Sequence, residues 1–278
     1  MRFTKAHGTG NDFVVVGDLE DTWKPNEGFV RAVCDRHFGV GADGVIRIAP
    51  AGDAYFMDYW NADGTTAEMC GNGVRVVGKW LADRGVIAGA TASIETRGGR
   101  KQVELTRAAD GTVSEVRVDM GPPILDAASI PVRADDPQHV LLEHDGRSFD
   151  AICVSMGNPH AILFVDALDQ VPFEQLGPVF EGHAAFPART NVEFVERIGT
   201  DHLRMRVFER GVGETLACGT GACAVGVAAS LRGLTGRTVT IDLPGGTLRI
   251  EWAEHVFLTG PALEVFEGEL PSTLTGLL

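Results

Sequence analysis

The 278-residue chain is short of positive charge: 24 Lys and Arg stand against 38 Asp and Glu, a formal net charge of −14. Nucleic acid and anionic membrane surfaces both need clustered Lys and Arg, so neither is expected as a partner. A small zwitterionic or cationic ligand is compatible with this balance. Long hydrophobic runs are missing too. The longest uncharged stretch lies between Glu214 and Arg232, 17 residues rich in Gly and Ala. It is too short and too weakly apolar for a membrane span. The N-terminal MRFTKAHGTGNDF lacks the apolar core of a secretory signal, which points to a cytoplasmic protein. Cysteine is sparse, at positions 34, 70, 153, 218 and 223. An odd count in a sizeable chain without a signal indicates reduced thiols. No pair has the C-x2-C spacing of a structural zinc site, so no metal is expected.

What remains is globular: 44% hydrophobic and 22% charged residues, enough chain for one large domain or two ordinary ones. The chain also repeats itself. Gly10-Asn11 matches Gly157-Asn158 at an offset of 147, Cys70 matches Cys218 at 148, and Gly85 matches Gly233 at 148. IETRGGRKQVEL from Ile94 matches IDLPGGTLRIEW from Ile241 at 147. Four anchors in one order at nearly one offset describe a duplicated unit, far too long for a solenoid repeat. The expected lobes are residues 1–120, with 264–278 returning to them, and residues 121–263.

Short, partly alternating runs bounded by Gly, Pro or Asp dominate each unit, among them FVVV, VIRIA, AYFMDYW, NVEFVER and LRMRVFE. These read as strands. Helices are expected at about 27–37, 71–84 and 219–232. The last two end in Arg-Gly, a good stop signal, and are apolar or small nearly all round, which implies burial. The fold class is α+β: two pseudo-symmetric lobes, each a curved, mostly antiparallel sheet or barrel around a central helix.

Each central helix is preceded by a cysteine, Cys70 in EMCGNG and Cys218 in LACGTG. Unpaired N–H groups and the positive end of the dipole lower the pKa of a thiol placed there. The same N–H groups hold a carboxylate and stabilise charge developing on it. Two such halves brought to one carbon make a two-base epimerase: one thiolate removes the α-proton, and the other thiol delivers a proton to the opposite face.

The segments HGTGNDFVVV, NADGTTAEMCGNG, SMGNPH, RTNVEFV, ERGVGETLACGTGACA, LPGG and TGPA run nearly end to end. Together they make the chain similar to the diaminopimelate epimerases. The resemblance implies a cofactor-independent enzyme of lysine and peptidoglycan precursor biosynthesis that interconverts LL- and meso-diaminopimelate. By it, Cys70 and Cys218 are the acid/base pair, with Cys218 taking the proton from the LL isomer. His160 and Glu209 support the thiols, and Gly71, Asn72, Gly219 and Thr220 meet the reacting carboxylate. Asn11, Asn61, Asn158, Asn191, Glu209 and Arg210 hold the remaining groups. It also implies a homodimer. Two positions depart from the family pattern. Many relatives read Gly-x-Asp-Gln where this chain has Ala42-Asp43-Gly44, and carry a cysteine where it has Val76. The first leaves the contacts near residue 44 open.

The residues admit other readings. Cys34, Cys153 and Cys223 read as small core residues. GVGADG at 39–44 matches G-x-G-x-x-G, but VIRIA follows it where a helix is needed. GTGACA opens a helix led by cysteine, so a nicotinamide or flavin site is not expected. A cysteine hydrolase with His160 as base explains one thiol and leaves the other idle. A non-catalytic amino-acid-binding module needs the helix starts but no thiols. Proline racemase-type enzymes share the two-thiol logic but lack the distal set of Asn, Glu and Arg and the HGTGNDF start.

Overall fold

The structure is a computed structural model describing residues 1–278. It forms two compact units, Met1–Val118 with Thr259–Leu278, and Asp119–Leu258. The first unit runs β1 (Arg2–Gly8), β2 (Asn11–Gly17), α1 (Glu27–Cys34), β3 (Gly44–Ala51), β4 (Ala54–Asn61), α2 (Gly71–Asp83), β5 (Thr91–Glu95) and β6 (Lys101–Arg107), and β7 (Val113–Gly121) leads out of it. The second unit begins β8 (Val140–His144), β9 (Arg147–Ser155), β10 (Pro159–Val165), α3 (Phe173–Glu181), β11 (Asn191–Gly199) and β12 (His202–Glu209). It continues β13 (Gly213–Thr215), α4 (Gly219–Leu231), β14 (Thr238–Leu243) and β15 (Gly246–Trp252). Strand β16 (Val256–Gly260) leads back to β17 (Leu263–Glu269) and α5 (Ser272–Thr275). Strand β17 pairs antiparallel with β1, Arg2 opposite Glu269.

Each unit follows one plan. Most ladders are antiparallel hairpins, and the parallel pairs are bridged by helices, as parallel pairing requires. In the first unit, α1 carries the chain from β2 to β3, with Phe13 opposite Gly44. In the second, α3 carries it from β10 to β11, with His160 opposite Asn191. Both members of that pair shift by 147. Helices α2 and α4 make the second crossover, between β4 and β5 and between β12 and β14.

The central helices owe their limits to local chemistry. Cys70 and Cys218 are extended N-caps whose Sγ atoms accept from Gly73 N and Gly221 N at 3.5 and 3.4 Å, the position a Ser or Asp cap fills elsewhere. At the other end Gly85 and Gly233 have φ of +68° and +66°. Gly85 N bonds Ala82 O and Val86 N bonds Leu81 O; Gly233 N bonds Ser230 O and Leu234 N bonds Ala229 O. This is the same Schellman closure twice.

Helix α2 is buried from Gly71 to Ala82, including two cations. Arg75 bonds Thr9 Oγ1, Gly71 O and Pro261 O, and Lys79 bonds Asp83 and Val113 O. Helix α4 is lined by Gly, Ala, Val and Cys223. In the second unit Phe173 and Phe180 of α3 meet Phe149 and Phe194 of the strands edge-on or tilted. Each such ring contributes about 1.5–3 kcal/mol by burial.

Two sequence expectations change. Helix α1 stops at Cys34 instead of 37, because the Asp35 carboxylate takes the N–H groups of His37 and Phe38 into a turn. Helix α3 was not expected at all.

Candidate active site

In the first unit, β1 and β2 meet in a two-residue turn with both φ positive, Thr9 at 50° and Gly10 at 84°. Such a turn suits the right-handed twist of a hairpin, and it sets Asn11 beside the start of α2. Asn11 Oδ1 accepts from the Cys70 thiol at 3.5 Å and from Asn72 Nδ2 at 3.2 Å. Its Nδ2 donates to Asp43 Oδ2 at 2.9 Å. Asp43 is in turn held by Arg36 at 2.8 Å. Asn61, at the end of β4, donates to Thr65 Oγ1 at 3.0 Å and lies opposite Gly44.

The departure at Gly44 has a steric counterpart. A Cβ there would stand 2.4 Å from Trp60 O and 2.5 Å from the Tyr59 ring. With the backbone and Tyr59 placed as they are, position 44 admits no side chain.

In the second unit Cys218 opens α4, 6% exposed, with Thr220 Oγ1 3.5 Å from its Sγ. Glu209, at the end of β12, accepts from Thr215 Oγ1, and its carboxylate stands close to the Cys218 thiol. His160 and Glu193 are completely buried. Glu193 Oε1 lies 2.6 Å from His160 Nδ1, and His160 Nε2 lies 3.1 Å from Asn158 Oδ1. Asn191 donates to Pro159 O at 2.9 Å and accepts from Arg210 N at 2.9 Å, which ties the start of β11 to the turn after β12. The Arg210 guanidinium is exposed, with Nη1 3.3 Å from Ala188 O.

The electrostatics correct one expectation. Burial, with the Glu209 and Glu193 carboxylates close by, pushes the Cys218 thiol well above its ordinary value. The Thr220 and Gly221 hydrogen bonds pull the other way and lose. A helix start therefore does not make Cys218 a thiolate by itself, because desolvation of a charged sulfur outweighs a partial charge of the dipole. Burial also raises Glu209. The titratable groups beside Cys218 are His160, Glu193 and Glu209. Cys34 and Cys153 are pushed up to about 12 by burial, as inert core thiols are.

The structure thus brings Asn11, Cys70, Gly71 and Asn72 together in one unit, and Asn158, His160, Glu209, Cys218, Gly219 and Thr220 in the other. Two participants were missed from sequence, Asp43 and Glu193. Donor atoms of His160, Glu193 and Cys218 lie within 4.8 Å of one another, the spacing of a metal trio. Both imidazole nitrogens are already engaged, Nδ1 by Glu193 and Nε2 by Asn158.

Comparison with known proteins follows the same lines. The family model described as diaminopimelate epimerase matches residues 3–125 and 152–264. A diaminopimelate epimerase of Acetivibrio thermocellus is 50% identical over 276 residues, covering 97% of this chain and 98% of its own. One of Leptospira biflexa serovar Patoc is 48% identical, covering 97% and 99%. Among solved structures, a hydroxyproline epimerase from Agrobacterium vitis superposes with a TM-score of 0.70 at 14% identity, covering 97% of this chain and 92% of its own. A PhzF-family phenazine biosynthesis protein of Bacillus anthracis gives 0.69 at 16%, covering 98% and 99%. At those identities the likeness is one of fold: an α+β, two-lobed architecture.

Proposed function

The chain belongs to the diaminopimelate epimerase family, and from that premise we propose how its residues divide the reaction. The enzyme is an isomerase that interconverts LL- and meso-diaminopimelate, a step of lysine biosynthesis. Each unit supplies one thiol, Cys70 or Cys218. A thiolate takes the α-proton, and the C–H electron pair passes into the adjoining carboxylate. The other thiol then protonates the carbon from the opposite face. The carboxylate is met by the backbone N–H groups at Gly71 and Asn72 on one helix start, and Gly219 and Thr220 on the other, where developing negative charge is stabilised. His160 and Glu209 assist Cys218. Asn11, Asn61, Asn158, Asn191, Glu209 and Arg210 hold the amino groups and the distal carboxylate. Amides serve as donors and acceptors, and the guanidinium forks onto a carboxylate.

The observation that carries this reading is the duplicated cap: both thiols, 148 residues apart, accept from the third helical N–H of their own buried helix. No cofactor or metal is assigned a role. Exposed Leu263, Val265 and Phe266 on β17 support pairing of two copies into a homodimer. An odd count of five cysteines supports a cytoplasmic setting. No helix is long and apolar enough to cross a membrane.

The test is epimerisation of stereochemically pure diaminopimelates by Cys70→Ser and Cys218→Ser. Each should lose nearly all activity, since a hydroxyl is a far weaker base than an activated thiol. Lysine, without the distal carboxylate, should be a very poor substrate. Full activity in either serine variant, or comparable turnover of lysine, contradicts the reading.

A further inference from the structure

The repeat superposes unlike residues around the two thiols. At the shared offset of 147, His160 stands where the first unit has Phe13, and Glu193 where it has Ile46. At 148, Gly221 stands for Gly73 and Glu209 for Asn61. A Cβ on Gly73 would meet Ile46 Cδ1 at 3.1 Å, whereas one on Gly221 would meet Glu193 Oε1 at 2.7 Å. One fold position therefore holds an apolar pair beneath Cys70 and an ionisable pair beneath Cys218.

We propose that Glu193 is a positioning residue of the Cys218 half, which fixes the orientation and tautomer of His160 through its hydrogen bond to Nδ1. This rests on the two-thiol reading and deepens it. Glu193 reaches the centre of the unit with no exposure, and its Oε2 has no hydrogen-bond partner there. Its one side-chain hydrogen bond is the 2.6 Å contact with His160. A buried carboxylate so sparsely partnered is a poor stabilising device, and Ile46 shows that the fold accepts an apolar residue at this position. What Ile46 cannot do is hold an imidazole.

With Nδ1–H donated to Glu193, Nε2 faces the Asn158 side-chain amide at 3.1 Å, and a nitrogen of the imidazole so held stands within 4.8 Å of Cys218 Sγ. The titratable groups facing Glu193 are His160 on β10, Glu209 on β12, Cys218 at the start of α4 and Cys153 on β9. Glu193→Gln keeps the shape and removes the charge.

The equilibrium between LL and meso forms belongs to the substrates, so any loss in kcat/KM must be the same factor in both directions. In E193Q that loss should be about ten-fold or more, with a displaced pH profile, and Glu193→Asp should restore part of it. In a His160→Gln background, E193Q should add less than about two-fold, because the two act as one unit. Nitrogen-15 spectra of the wild-type imidazoles, with the His160 signal assigned by its loss in H160Q, should show Nδ1 protonated; this measurement needs no Glu193 variant to fold. Wild-type rates and pH profile in E193Q, an undiminished loss in the H160Q background, or an unprotonated Nδ1 in the wild type would overturn the proposal. None of these would restore activity to Cys218→Ser, so failure here is distinguishable from failure of the two-thiol reading.

Discussion

Adding one methyl group at Gly221 separates the two halves more sharply than any change at the cysteines. In Gly221→Ala the new Cβ would stand 2.7 Å from Glu193 Oε1 and 3.3 Å from Cys218 Sγ. The first contact falls 0.7 Å short of the 3.4 Å at which ordinary contact begins. Glu193 cannot yield freely, because the same oxygen is bound to His160 at 2.6 Å. Relief must come from the carboxylate, the imidazole or the first turn of α4. Alanine gains about 1 kcal/mol of helix propensity, and overpacking costs about 1–3 kcal/mol. The net effect lies between neutrality and a loss of about 2 kcal/mol, or a fall in Tm of up to about 6 °C. Activity should fall much further, by about ten-fold or more, since displacement on this scale misplaces groups that transfer a proton. Gly73→Ala is the control. Its Cβ meets Ile46 Cδ1 at 3.1 Å and Met57 Sδ at 3.2 Å, flexible ends that can give way. Thermal scans and initial rates at one temperature well below both transitions decide the matter. If Gly221→Ala keeps full rate and Tm, or Gly73→Ala is equally damaging, the assigned packing around the thiols is wrong.

Other outcomes follow from the first unit. Arg75→Met should cost about 2–4 kcal/mol in urea unfolding, because Thr9, Gly71 and Pro261 lose a buried donor; a change below about 1 kcal/mol would show those bonds to be replaceable. Burial alone would raise the Asp12 carboxyl, but Arg36 and Lys5 outweigh it and hold it at about 2 against its ordinary 3.8. A depressed acid stabilises the fold above its unfolded value and loses that contribution as pH falls through its folded one. The stability advantage over Asp12→Asn should thus be complete above pH 3.8 and gone near pH 2. An advantage that does not change with pH in equilibrium unfolding would contradict the pairing.

Much of this was legible from sequence, and the reasons differ by residue. The repeat, the two cysteine caps and the Arg-Gly stops are local signals, and each recurs as the same backbone geometry in both units. Helix α3 hides behind Gly177-Pro178, which reads as a break; Gly177 is small because a Cβ would meet the Phe208 ring at 2.5 Å. Glu193 hides in NVEFV because strand alternation marks a polar residue as outward, whereas Asn191 to Val195 are all buried. Its signal lay in the repeat itself, where a carboxylate replaces Ile46. The raised Cys218 thiol depends on how deeply α4 is buried and which acids surround it, and no motif encodes that.

The central claim is that two different thiols handle the two protons. In deuterated water, early product should carry deuterium at the inverted carbon, because a thiol bears one exchangeable proton and the delivering group has already taken it from solvent. Substrate recovered at the same time should remain largely protiated. Substantial protium in the early product, or equal deuteration of both isomers, would mean that a single base serves both faces.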